Sequence, residues 1–231
     1  MAGRTPSNPL ALAVLACLYE RPMYPYEITT TLRERGKEDS IRLNFGSLYS
    51  IIKSLEKSGL IVAARAEREG NRPERQVYEI TPTGREEAER WLRRILAVPT
   101  KEYPDIEAGL SLIGLLAPRE AADLLRQRVE ALEAEVRRRR AQLTEVTEAG
   151  LPEVFSVEAD YRVAMMEAEL AWVRALVERL ERGEVGGQPM WEEMHRRRVA
   201  GASPEEIEAA MQEALPAAFR RSGGGGGPAT H

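Results

Sequence analysis

Apolar residues recur along this chain at two spacings, and the change from one to the other marks out its elements. From Asn44 to Leu60, NFGSLYSIIKSLEKSGL, the apolar residues Leu48, Ile51, Ile52 and Leu55 fall at i, i+3, i+4 and i+7. That is the spacing of a helix buried on one side. Asn44 can cap its start and Gly59 its end. Around the helix, the opposite face carries Gly46, Ser50, Lys53 and Lys57, flanked by Tyr49 and Ser54, with no acid and no large aliphatic residue. Upstream, PLALAVLACLY (9–19) is apolar almost all round, the mark of a helix central to a small domain. MYPYEITTTLRERG follows, with Pro25 suited to a first helical position, Ile28 and Leu32 as the buried stripe and Gly36 as the stop. After Gly59 the helical period is lost. LIVAARA (60–66) and RQVYEIT (75–81) are short and rich in branched and aromatic residues, as strands are, and EREGNRPE joins them with Gly70-Asn71 at the turn. Thr81-Pro82-Thr83-Gly84 opens a fourth helix, whose expected apolar side is Trp91, Leu92, Ile95 and Leu96 and whose end is Pro99.

The second half is helical throughout. Lys101 to Pro104 reads as a linker, and IEAGLSLIGLLA after Asp105 as a short apolar helix. Pro118 opens a long helix in which Leu125, Val129, Leu132, Val136, Leu143 and Val146 keep 4-3 spacing, a coiled-coil-like seam interrupted at Arg139. The run Arg137 to Arg140 splays over all sides of that helix and is expected to be solvated and ion-paired. Gly150-Leu151-Pro152 breaks the helix, and the next one carries two apolar stripes. The stripes, 163, 166, 170, 173, 177, 180 and 161, 165, 168, 172, 176, are adjacent, so two buried sides are expected, one against its own domain and another available to a partner subunit. Beyond residue 184, Ser203-Pro204-Glu205-Glu206 forms a capping box for a short helix to about Leu215, MWEEMHRRRVAG is a candidate helix, and the terminal SGGGGGPATH is expected to be disordered.

These elements predict a mainly α protein with a small β-hairpin wing. An N-terminal winged helix-turn-helix is expected over 8–98, a C-terminal helical domain with one side available for dimerisation over 105–183, and an extension over 184–231. A helix offering hydroxyls, a phenol and lysines suits a DNA major groove, with Ser47, Tyr49, Ser50 and Lys53 nearest the bases. The wing, through Arg68, Asn71, Arg72 and Arg75, would lie along phosphates and set register without reading sequence. The plainer alternatives are a soluble surface helix and, at the wing, a charge run in which Glu67, Glu69 and Glu74 alternate with the arginines.

Charge sharpens this division. Residues 1–98 carry 16 Lys and Arg against 13 Asp and Glu; the remainder carries 17 against 24, for a net charge of −4. A mildly basic front on an acidic rear is compatible with a front that meets nucleic acid. Cys17 is the single cysteine and His195 and His231 are the only histidines, so no disulfide framework and no His/Cys metal site is expected. No phosphate-binding glycine loop or nucleophile elbow is present, so neither a cofactor nor an enzymatic activity is expected. No stretch approaches the ~18 apolar residues of a membrane span, and the polar N-terminus does not read as a signal peptide. A cytoplasmic protein with no membrane partner is the expectation.

LALAVLACLYERPMYPYEI, FGSLYSIIKSLEKSGLI, EGNRPERQVYEIT and TPTGREE, in that order, resemble the winged-helix domain of the PadR family of bacterial transcriptional regulators over residues 10–98. GLSLIGLL, LLRQRVEALEAEV and MEAELAWVRALVERL resemble the C-terminal helical domain of the longer members, of the virulence-activator alpha type, over 106–182. One departure is that Tyr24-Pro25 stand where the family usually has His-Gly, so any DNA contact through an amide at position 25 is lost. The resemblance implies a homodimer on double-stranded DNA at a roughly palindromic operator, more often as a repressor. Its dimerisation residues would include Leu125, Val129, Leu132, Val136, Met165, Trp172 and Leu176. It also implies responsiveness to a small aromatic effector or a stress cue, with Trp91, Tyr103 and Trp172 as candidate pocket walls or else ordinary packing residues. The rival reading is a winged-helix protein–protein module that dimerises without binding DNA, which the acidic overall charge favours slightly.

Overall fold

Helix α1 (Pro9–Glu20) forms the centre of the first unit because apolar residues run almost all round it. Leu10, Ala11, Val14, Leu15, Cys17 and Leu18 are all buried, against α2 (Pro25–Glu34), α3 (Phe45–Lys57), the strand β2 (Arg75–Ile80) and α4 (Pro82–Ala97). The structure is a computed structural model of the chain and describes residues 8–43, 45–67 and 75–216. The expected cap Asn44, the wing tip and the glycine-rich tail lie outside them. The chain divides into two compact units, one ending at Glu102 and the other starting at Tyr103.

In the first unit Asn8 caps α1, its side chain accepting the Leu10 N–H at 3.0 Å, with Pro9 in the first turn. The chain leaves α1 extended. Met23 then pairs with Tyr78 through both backbone groups, at 3.1 and 2.9 Å, before Pro25 starts α2. Arg35, just past α2, grips Glu20 at the end of α1 with two bonds of 2.5 and 2.7 Å. β1 (Ile61–Glu67) and β2 (Arg75–Ile80) form one antiparallel ladder, with Ile61 opposite Ile80 and Glu67 opposite Arg75. An extra residue between Ala63 and Arg65 makes a bulge, which bends and twists the hairpin.

Helix α4 corrects the sequence reading. Its buried face is Gly84, Glu87, Ala88 and Trp91, whereas Leu92, Ile95 and Leu96 are exposed within this unit. Both sets have helical spacing; Leu92 and Leu96 are rotated away from the buried set, and Ile95, close to it around the helix, lies a turn beyond Trp91. Only the set facing α1 is covered, anchored where Tyr19 donates to Glu89 at 3.0 Å and Arg85 lies over the Tyr19 ring.

The second unit is built on a helical hairpin, α5 (Asp105–Ser111) leading through a 3-10 turn (Ile113–Leu115) into α6 (Pro118–Glu148), then α7 (Val157–Glu181). The apolar run after Asp105 is therefore broken at Leu112, not one continuous helix. Ala122, Leu125, Val173, Val177 and Leu180 form the core, with Ile106, Leu110, Val129, Leu176 and Trp191 packed on it. Of the ion pairs that cross the hairpin, three recur at seven-residue intervals with alternating polarity, Arg126–Glu181, Glu133–Arg174 and Arg140–Glu167, while Arg128–Glu169 crosses outside that series. A one-residue slip would misalign all three, so they favour a single antiparallel register. All four arginines of the 137–140 run are engaged with acids, Arg137 with Glu133, Arg138 and Arg139 with Glu135, and Arg140 with Glu167.

The extension beyond 184 packs on this hairpin. In α8 (Gln188–Val199), Trp191 donates its indole N–H to Leu116 O at 2.8 Å, Gln188 donates to Leu180 O at 2.9 Å and Arg198 to Gly114 O at 3.1 Å. Helix α9 (Pro204–Ala214) starts at a capping box between Ser203 and Glu206.

Candidate nucleic-acid interface

The spacing of α3 decides which of its side chains are held and which are offered. Leu48, Ile52 and Leu55 are buried in the core of the first unit and Ile51 packs on its edge. The helix cannot rotate without exposing them. Gly46, Ser50, Lys53, Ser54 and Lys57 are consequently exposed, Ser47 is half-buried, and Tyr49 projects with 54% of its surface in solvent. Neither the Tyr49 hydroxyl nor the Lys53 ammonium has a polar partner among the described residues. Ser50 does have one: its hydroxyl donates to Gly46 O, one turn back, at 3.2 Å.

The end of α3 is locked to the start of α4. Gly59, in the left-handed conformation (φ 71°), lets Leu60 N–H return to Leu55 O at 3.0 Å and turns the chain into β1. Thr81 then closes the junction. Its N–H donates to Leu60 O at 3.0 Å, its hydroxyl to Gly59 O at 2.8 Å, and the same oxygen caps α4 by accepting the Gly84 N–H at 3.0 Å. A Cβ on Gly84 would sit 2.0 Å from Leu60 O, so only glycine allows α4 to pass there. The sequence TPTG is thus more than a helix start, because it fixes the angle at which the outward face of α3 is presented. Sequence reasoning found the motif and missed this role, since spacing alone carries no sign of a close backbone approach.

The remaining candidates fall less evenly. Arg75 opens β2, while Arg68, Asn71 and Arg72 lie outside the described residues. Pro25 occupies the first turn of α2, after a Tyr24 that makes no side-chain cap. An amide there would have no partner within the helix, so proline fits the fold.

The three aromatic candidates do not come together. Trp91 is 3% exposed in the core of the first unit, where no face is open to a ligand, whereas Tyr103 is 80% and Trp172 54% exposed. A cavity of about 470 Å³ lies among α6, α7 and α8, lined by Arg119, Asp123, Arg126, Glu181, Gln188 and Glu192 among others, and none of the three aromatics borders it.

The candidate dimerisation residues also divide. Leu125 and Val136 are buried within the second unit, and Val129 and Leu176 pack on its core, because α6 and α7 use that seam on each other. Leu132 is half-buried. Met165 and Trp172 stand exposed on α7 with Tyr161, on the part of their stripe that the intrachain packing leaves uncovered, whereas Leu176 at its end is drawn into the core. Sequence spacing could separate the two stripes of α7, but it could not tell that the α6 seam is taken by α7.

Among the described residues no helix is long and apolar enough to cross a membrane, and no cluster of His, Cys, Asp or Glu has metal-binding geometry.

Comparison with known proteins bears on the same domain. Residues 14–90 match the transcriptional regulator PadR-like family. The negative transcriptional regulator PadR of Bacillus subtilis (strain 168) is 26% identical over 128 residues, 55% of this chain and 69% of that protein. Among solved structures, Bacillus subtilis PadR in complex with operator DNA superposes with a TM-score of 0.62 at 18% identity, covering 75% of this chain and 99% of that one. The complex of the same protein with p-coumaric acid gives 0.61 at 16%, covering 74% and 98%. The Vibrio cholerae virulence activator AphA gives 0.57 at 18%, covering 74% and 98%. At these identities the structural likeness is one of fold: a mainly helical chain with a two-stranded wing. Over residues 14–90 the chain is thus similar in sequence to the PadR-like regulators, and over about three quarters of its length it shares the fold of PadR and AphA.

Proposed function

We propose that this protein is a homodimeric repressor that grips a roughly palindromic DNA operator with α3 and its wing and releases it on binding a small aromatic effector. The outward face of α3 carries the reading. It offers a phenol, hydroxyls and an ammonium on a helix whose other side is immobilised in the core. A helix of this kind fits the B-DNA major groove, where base edges present donors and acceptors in a pattern unique to each pair. The Bacillus relative solved on operator DNA supports a DNA partner, and its complex with p-coumaric acid supports an aromatic effector.

A dimer is favoured by the uncovered stripe of α7, where Tyr161, Met165 and Trp172 present aromatic and thioether surface to solvent. Two-fold pairing would set two α3 helices in successive major grooves, about 34 Å apart. Such a protein would work in the cytoplasm, where its DNA is.

Retardation of duplex DNA from upstream of its own gene, against a scrambled duplex and across a salt series, tests the reading. Sequence-selective binding that weakens with salt is expected. Full-strength operator binding by a Tyr49→Ala/Lys53→Ala double variant would refute the role of α3. A chain that dimerises yet binds no duplex would be the protein–protein module instead.

A further inference from the structure

Ser50, on the outward face of α3, is a hydroxyl whose hydrogen-bonding polarity is set by its own helix. A serine hydroxyl has one proton to donate and two lone pairs to accept with. Here the proton points back along the helix to Gly46 O, at 3.2 Å, while the side chain itself is exposed. The lone pairs are what remains facing outward. Lys53, one turn further on the same face, is the opposite case, since an ammonium only donates.

The major groove distinguishes these polarities. Adenine and cytosine present an exocyclic amine there, a donor, whereas guanine and thymine present a keto oxygen, an acceptor. A hydroxyl committed to its own helix can take the amine at no internal cost. To bind a keto oxygen it must first give up the bond to Gly46. Resting on the reading of α3 as a DNA-recognition helix, we infer that Ser50 is a specificity residue that selects an amino base, adenine or cytosine, over a keto base, guanine or thymine, at one position in each half-site. The selection is by hydrogen-bond polarity and not by base size, so the preferred position tolerates a purine or a pyrimidine. The expected discrimination is about fivefold per half-site, the worth of one neutral hydrogen bond. On a two-fold operator changed in both halves it becomes roughly twenty-five-fold, the square of that factor.

Selection from a randomised duplex library by the full chain, followed by sequencing of the bound pool, tests this directly. The wild-type pool should contain one position per half-site restricted to A or C on one strand. Ser50→Ala should make that position indifferent while the rest of the motif persists. Ser50→Thr keeps a hydroxyl that can make the same backward bond, and should retain the A-or-C restriction. Thermal melting of each variant shows that it is folded. Identical motifs from wild type and Ser50→Ala, or a position lost in Ser50→Ala that had been restricted to G or T, would overturn the inference while leaving DNA recognition by α3 intact. A wild-type pool with no enriched motif would overturn that underlying reading, and the role of Ser50 with it.

Discussion

The two units of this chain use their apolar residues differently. In the first, a helix that is apolar almost all round packs against three others and a strand, and the surface proposed for a partner is the polar side of α3. In the second, the long helices α6 and α7 bury only part of their apolar surface on each other, and Met165, Trp172 and Tyr161 remain in solvent. A closed core with a polar outer face suits a charged, hydrogen-bonding partner. An open hairpin with an apolar stripe suits another copy of itself. Stability of the first unit should therefore be a property of one chain, and that of the second should depend on protein concentration.

The harshest way to break the first unit is to disturb its tightest approach. Gly84→Ala would place a methyl group 2.0 Å from Leu60 O, against backbone that cannot step aside. A cost of roughly 3 kcal/mol is expected, the upper part of the usual range for overpacking. Gly109→Ala in α5 meets nothing within 4 Å and should be neutral or stabilising, by up to about 1 kcal/mol. Cys17 reports on the first unit alone. Burial pushes its thiol up to about 11, so it should react with a disulfide reagent only when that unit opens. Labelling should be faster by about a hundredfold in Gly84→Ala and unchanged in Gly109→Ala.

The open hairpin should fail in a different way. Met165→Asp puts a charge on the uncovered stripe of α7 without touching the intrachain core. Association should weaken by about 2 kcal/mol or more, some thirtyfold, as sedimentation equilibrium would show. The secondary structure of the separated chains should persist. A dimer of unchanged affinity would mean that the second unit pairs through some other surface.

A smaller effect is expected where the first unit meets its partner. Lys53→Ala should weaken operator binding by about 1–2 kcal/mol and leave the melting temperature unchanged, because the side chain packs on nothing in the core. If its contact is to phosphate, the slope of log K against log salt should fall by about one for each protomer. If it reads a base, the loss should instead vary with the operator sequence.

Much of this was legible in the sequence, and the reasons differ by element. The buried and exposed sides of α3, and the two stripes of α7, follow from a period that local residues fix. Helix α4 misled because Leu92, Ile95 and Leu96 are larger and more apolar than Gly84, Glu87 and Ala88, and only the position of α1 decides which side is covered. The pairing of Met23 with Tyr78, the crowding of Gly84 against Leu60 and the use of Leu125 and Val136 within the chain all depend on segments distant in sequence. No local pattern announces them. The ladder of ion pairs across α6 and α7 is the clearest instance, since its members are separated by 55, 41 and 27 residues.

That ladder gives the smallest expected effect and the finest test of the hairpin. Glu133 and Arg174 meet at 2.5 Å with both side chains partly in solvent, so their pair should contribute about 0.5 kcal/mol. Reversing one member, Glu133→Arg, should cost at least that much, and adding Arg174→Glu should recover most of it. Recovery by the double reversal, with the neighbouring rungs Arg126–Glu181 and Arg140–Glu167 unaltered, would separate a register-setting pair from a site that merely tolerates acids. Acid provides an independent check. The Arg140 guanidinium, hydrogen-bonded to Glu167, holds that carboxyl below its ordinary value. A depressed carboxylate stabilises the folded state above the unfolded-state value, and that contribution is lost as pH falls through the folded one. Lowering the pH below the ordinary carboxylate range should therefore loosen the hairpin, and Glu167→Gln should remove its share of that response. High salt should reduce both effects, because the pairs lie in solvent. If single and double reversals are equally unstable, the alternating charges are not what holds the two helices in register.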